Sequence, residues 1–185
     1  MVARAGHSLT KLLVFIAIAA MLAVGVASLR GCDEQGAAKT VQVNLSGKLF
    51  VLEVAADDAV RTKGLGQREY IAPDGGMLFV FADKDYRVQN FLMRDCPVDI
   101  DIIYLDRSGH ITAMHAMKKE PPRGPDEGPV GDYFNPKYHG RLPQYSSKFA
   151  AQFAIELAGG SLKTLKLKEG DKVELNYEAL RKQAR

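Results

Sequence analysis

Two cysteines in 185 residues are too few for a disulfide scaffold or a cysteine-rich zinc site. Histidine is also scarce: His7, His110, His115 and His139 are scattered along the chain. His110 and His115, five residues apart, fall on opposite faces of an extended strand and cannot share a metal from one side. No Gly-x-Ser-x-Gly elbow is present, and neither Gly75-Gly76 nor Gly159-Gly160 has phosphate-loop spacing. An excess of one charge is missing too. Lys+Arg number 25 and Asp+Glu 22, and the resulting +3 resides in Arg4, Lys11 and Arg30, in a stretch with no acid. From residue 32 onward the charges cancel without a basic run, which excludes an electrostatic footprint for nucleic acid. At 46% hydrophobic and 25% charged, the chain is neither disordered nor collagen-like. These patterns predict no cofactor and no metal.

What is present begins with Leu12–Leu29, an apolar run preceded by Arg4 and Lys11. It has the basic flank of an export signal and just reaches the length that spans a bilayer as a helix. The flank predicts a cytoplasmic amino terminus and export of everything that follows. Three fates are open. Leu29-Arg30-Gly31-Cys32 has the outline of a lipobox with Cys32 as the lipidated residue, although Arg30 departs from that pattern. Gly25-Val26-Ala27 offers small residues for signal cleavage. The segment can also remain as an anchor. An unacylated Cys32 could pair with Cys96 outside the cytoplasm.

Past the polar spacer at 33–39, Thr40–Leu45 alternates as a half-buried strand does, Ser46-Gly47 is a tight turn, and Lys48–Ala55 is the returning strand. Asp57 is placed to cap a short helix that Gly64 ends. Met77–Phe81 reads as a buried strand, and Phe91–Met93 as a shorter one. Val98–Leu105 is apolar on both faces, as in a strand covered on both sides. His110–Met117 is its partner after the Asp106–Gly109 turn. Phe149–Ala158 is ambiguous, because its alanines favour helix while Phe153, Ile155 and Leu157 alternate as in a strand. A short helix from Ser161, a final strand over Lys172–Tyr177 and a polar tail over 178–185 complete the chain.

Lys118–Lys148 holds six of the eight prolines. Loops of this length are functional or disordered. Disorder accounts for the prolines but not for Tyr133, Phe134, Tyr138 and Tyr145. The expectation is a mobile first third and a second half docked through its aromatics.

Asp99 and Asp101, two apart at a strand start, point to one face. With His115 and Glu156 they could form a divalent-metal site or a carboxylate pair for hydrolysis. The simpler reading pairs Asp99 or Glu156 with Arg61 or Arg94, since buried carboxylates need partners. Cys96, beside Pro97, suits a small buried hydrophobe better than a nucleophile. Met77, Met93, Phe79 and Phe91 belong to a soft apolar set that is mostly core, with a rim beneath the long loop as the candidate ligand groove.

Between Val51 and Val173 the chain resembles the bacterial and archaeal family called domain of unknown function 192. The stretches that carry the resemblance are Glu53-Val54-Ala55, Arg61–Leu65, Gly75–Phe81, Phe91–Arg94, Pro97–Ile100, Ile103–Asp106, Ile155–Leu157 with Gly159, and Gly170–Val173. The resemblance implies a β-rich α+β domain, often exported, and no reaction. The family's usual Gly-Leu-Met is here Gly64-Leu65-Gly66, and its aromatic before Met93, usually Trp, is Leu92. Both changes remove bulk from a possible groove.

The expected architecture is α+β: a single β-rich domain over 40–177, built as a mixed sheet or partial barrel, behind a signal or anchor at 1–31. The expected function is an exported, membrane-tethered domain that binds a small molecule, glycan or peptide without catalysis. Its groove candidates are Met77, Phe79, Phe91, Met93, Asp99, Asp101, Glu156, Tyr133 and Tyr138. The alternatives are a carboxylate- or metal-dependent hydrolase and an envelope-assembly protein.

Overall fold

The structure, a computed structural model, describes residues 39–185. The apolar run, its flanks and Cys32 lie outside the described residues, as does any pairing of Cys32 with Cys96.

Strands β1 (Thr40–Leu45) and β2 (Lys48–Ala55) form the expected hairpin. Ser46 and Gly47 have φ of 53° and 86°, the two positive values that a two-residue type I′ turn requires. Asn44 Oδ1 accepts from the Gly47 N–H at 2.8 Å. Helix α1 (Asp58–Lys63) starts at Asp57, whose carboxylate accepts from the Val60 N–H, and ends at Gly64 with φ 53°. The α1 crossover lets β3 (Gly75–Val80) lie parallel to β2.

Strands β4 (Arg87–Phe91) and β7 (Tyr145–Ala151) form a separate two-stranded ribbon. Strands β5 (Ile100–Leu105), β6 (Ile111–Met117) and β8 (Phe153–Ala158) join the main sheet, in the order β1-β2-β3-β8-β5-β6. The sheet is mixed, as expected, and open, with β1 and β6 at its edges, so it is not a closed barrel. As expected, β5 is buried along its whole length.

Alternation assigns each strand residue to one of two cores. Val43, Phe50, Leu52, Leu78, Ile103, Phe153 and Ile155 face one side, where Leu165, Val173 and Leu180 cover them. Met77, Phe79, Ile102, Tyr104 and Ala154 face the other, packed with Leu65, Met93 and Cys96. Gly76, at φ 155°, lies where β3 meets β8; a Cβ there would sit 2.2 Å from the Glu156 carbonyl oxygen.

Four sequence readings change. The short strand expected over Phe91–Met93 lies earlier, as β4 over Arg87–Phe91. Phe149–Ala158 is two strands broken at Gln152, whose N–H and C=O bond Leu105 and Phe81 instead of a helical neighbour. The alanines there serve close packing, with Ala151 and Ala154 fully buried. The final strand over Lys172–Tyr177 is reduced to one bridge between His110 and Lys172. The tail is a packed helix: besides α2 (Pro136–Arg141) and α3 (Ser161–Thr164), α4 spans Tyr177–Arg181, capped by Asn176. Its Leu180 is buried, which outweighs the polar composition around it.

The loop over 118–148 also differs from expectation, because its first third is tied down. Arg123 donates to both carboxylate oxygens of Asp95, at 2.7 and 2.9 Å, and stacks 3.8 Å from the Tyr138 ring centre.

Candidate functional site

A cavity of about 350 Å3 opens between α1, the floor of β3 and β8, and the segment running from β4 towards β5. Its aromatic wall follows from the alternation of β3, which turns Phe79 and Phe81 to this face. Phe91, the last residue of β4, meets Phe79 edge-to-face at 4.9 Å and Tyr104 at 5.6 Å. Gly64 supplies room at the helix end: a Cβ there would lie 3.2 Å from the Phe79 ring and 3.3 Å from Glu156 Oε2.

Glu156 lies on the floor and is 94% buried, its residue being 6% exposed. The Leu65 N–H reaches Oε2 at 3.4 Å, a long contact. Burial pushes the Glu156 pKa up to about 7, against the smaller pull of the Leu65 N–H and the charge of Arg68. Arg68 is itself engaged with both oxygens of Glu53. Cys96 lines the same space; burial, with Glu156 and Asp95 adding, pushes its thiol up to about 12, so it is protonated and inert.

The rim carries cations. Arg61 is occupied by Asp58 at 2.6 Å and by the carbonyls of Val80 and Arg185. Arg87 is paired with Asp85 at 3.1 Å. Lys63 and Arg94 also line the cavity, and among the described residues neither forms an ion pair. Arg94 donates to the Tyr133 carbonyl at 3.2 Å, and burial lowers its pKa.

Of the expected groove residues, Phe79, Phe91 and Glu156 line this cavity, and Arg61 and Arg94 join them as rim residues rather than as partners of a buried carboxylate. Met77 and Met93 are buried core. Tyr133 accepts a hydrogen bond from Gln67 at 3.1 Å and faces Arg94, while Tyr138 is buried beneath Arg123 and Arg141, its hydroxyl accepting from the Asp95 N–H.

Asp99 and Asp101 go elsewhere. Asp99 precedes β5 and binds Lys118 at 2.6 Å. Asp101 faces the opposite core from Glu156 and accepts from the Leu162 N–H at 2.7 Å, at the start of α3. His115 Nε2 meets the Ser146 carbonyl at 2.7 Å. The three carboxylates and His115 therefore do not converge, and among the described residues no three His, Cys, Asp or Glu side chains are grouped to hold a metal. Lys63 and Leu65 carried no signal of a site role in the sequence, because only the fold brings the end of α1 over β8.

A second hollow of about 430 Å3, among Lys39, Asp57, Lys182, Gln183 and Arg185, has no aromatic side chain and no buried titratable group in its lining. Gln183 Oε1, in its lining, is buried without a hydrogen-bond partner.

The model of the family described as uncharacterized ACR, domain of unknown function 192, matches residues 40–175. The chain belongs to that family. No curated protein matches it. Two solved structures share the family member's fold. One, from Sinorhizobium meliloti 1021 and provisionally described as a transcription regulator, is 23% identical with a TM-score of 0.54, covering 73% of this chain and 91% of that one. The other, a protein of unknown function from Novosphingobium aromaticivorans DSM 12444, is 21% identical with a TM-score of 0.56, covering 78% and 91%.

Proposed function

We propose that this family member is an exported, membrane-tethered domain that binds a small molecule, without catalysis, in the cavity beneath α1. One observation carries the reading: a recess of about 350 Å3 with an aromatic wall, a nearly unpartnered buried carboxyl on its floor and, at its rim, two cations without an ion pair among the described residues. A recess of this size, with a few placed polar groups beside an aromatic wall, has room for a ligand of metabolite size. Export rests on the basic flank and apolar run at Leu12–Leu29, with attachment through that run or through a lipid on Cys32.

The test is a thermal-shift screen of the full chain in detergent, read by circular dichroism because the chain has no tryptophan. A ligand class that raises Tm in proportion to log concentration supports the reading. A flat response to organic acids, amines, sugars and short peptides contradicts it.

A further inference from the structure

The chemistry of the cavity narrows the ligand class, on the premise that the cavity is a ligand site. We propose that it selects a small organic carboxylate, whose apolar body packs on Phe81 and Phe91 and whose head group is held by Arg94 and Lys63 over the carboxyl of Glu156.

The rim supplies the first argument. Arg61 and Arg87 are neutralised by Asp58 and Asp85, whereas Lys63 and Arg94 make no ion pair among the described residues. Of the five N–H donors of Arg94, one reaches Tyr133 O. A carboxylate accepts two guanidinium donors side by side, the geometry for which arginine is suited. An ammonium head group would instead meet two uncompensated cations.

The floor supplies the second. Glu156 is 94% buried and holds one long contact from the Leu65 N–H. The titratable groups around it are Arg68 after α1, Cys96 before β5 and Tyr104 on β5, with Lys63 and Arg94 at the rim. Arg68 is held by Glu53, and Cys96 and Tyr104 are protonated well above neutrality by burial. None forms an ion pair with Glu156, so a carboxyl in this place is protonated through the lower half of the neutral range. In that form it donates to a ligand carboxylate; ionised, it repels one. Binding is therefore linked to retention of the Glu156 proton, and affinity falls as pH rises through about 7.

Calorimetric titration of the full chain in detergent with benzoate, benzamide and benzylamine tests this, since the three share a ring and differ in head-group charge. Benzoate should bind at least about tenfold more tightly than the other two at pH 6. Benzoate is ionised at pH 6 and pH 8, and arginine keeps its charge at both, so the pH comparison reads Glu156. The benzoate affinity should fall about tenfold between the two, and Glu156→Gln should bind equally at both. Arg94→Met should weaken benzoate about tenfold or more; Lys63→Met, at an exposed site that leaves the core intact, should weaken it in the same direction. Benzylamine binding as well as benzoate overturns the proposal, as does benzoate affinity unchanged in both rim variants or unchanged by pH in the wild type. Equal binding of benzamide and benzoate overturns the carboxylate selection and leaves the cavity as a ligand site. Failure of all three probes overturns the selection, and a blank thermal screen beside it overturns the ligand site as well.

Discussion

The guanidinium of Arg123 closes on the carboxylate of Asp95, with side chains 6% and 4% exposed, and so fastens the proline-rich loop to the segment between β4 and β5. Gly131 N–H adds a third hydrogen bond to Asp95 at 3.0 Å. The same segment carries Arg94 and Cys96, so the loop anchor and the cavity wall are parts of one stretch of chain.

Removing that anchor by Arg123→Ala leaves a buried carboxylate without its cation, at a cost of about 3 kcal/mol. Chemical denaturation measures the loss, and limited proteolysis should show new cleavage within residues 119–145. Burial of Asp95 opposes its ionised form, but the hydrogen bonds from Arg123 and Gly131 and the charge of Arg123 outweigh it and hold its pKa below the ordinary 3.8. Its contribution to stability is thus complete above about pH 4 and lost as pH falls through the folded value. The acid limb of the wild-type stability curve should be steeper than that of Arg123→Ala.

Glu156 has the opposite sign. Its folded pKa of about 7 exceeds its ordinary 4.5, so the folded state retains a proton that the unfolded state releases. Stability should decline as pH rises from about 4.5 to about 7 and level off above, by about 3 kcal/mol in total. Glu156→Gln should match the wild type near pH 5 and exceed it at pH 8. Urea melts at these two pH values check the crossing.

Gly76→Ala should be among the most damaging single substitutions. Its Cβ would meet the Glu156 carbonyl oxygen at 2.2 Å in a backbone conformation that disfavours side chains. The expected loss is on the order of 3 kcal/mol or failure to accumulate as folded protein, read by Tm and soluble yield.

The two strand-start aspartates should behave differently from each other and from a catalytic pair. Asp99→Ala breaks a solvent-exposed pair with Lys118 and should leave Tm unchanged within error. Asp101→Ala removes the acceptor for the Leu162 N–H in a buried setting, at a cost of about 1–3 kcal/mol. Neither should alter ligand binding in the cavity.

Much of the fold was legible because local chemistry and tertiary context agree. The hairpin follows from alternation and Ser46-Gly47, α1 from Asp57 and Gly64, and β5 from apolar residues on both of its faces. Legibility failed where packing overrides composition. Leu180 draws a polar tail into a helix, and the break at Gln152 splits one apolar stretch into strands of two different sheets. At the site, the spacing of Asp99 and Asp101 suggested a pair that the chain dissolves by starting β5 at Ile100. Conversely, Glu156 stands out in the sequence as the one charged residue of an apolar strand, but no local pattern encodes that it points to the face where α1 ends.

Membrane attachment has its own test, since residues 1–38 lie outside the described chain. Cells fed a clickable palmitate analogue should label the wild type and not Cys32→Ala if the lipid on Cys32 is the tether. Absence of label together with membrane fractionation assigns the tether to Leu12–Leu29. Recovery of both forms in the soluble cytoplasmic fraction contradicts export.

That the cavity beneath α1 receives a small organic carboxylate is tested most directly by amide NMR of the full chain titrated with benzoate at pH 6. Saturable shifts should concentrate at Gly64, Leu65, Gly66, Asn90 and Arg94, and should vanish when Leu92→Trp restores the family's bulk in the cavity lining. Shifts centred on Lys39, Lys182 and Arg185, shifts that persist in Leu92→Trp, or none at all would contradict it.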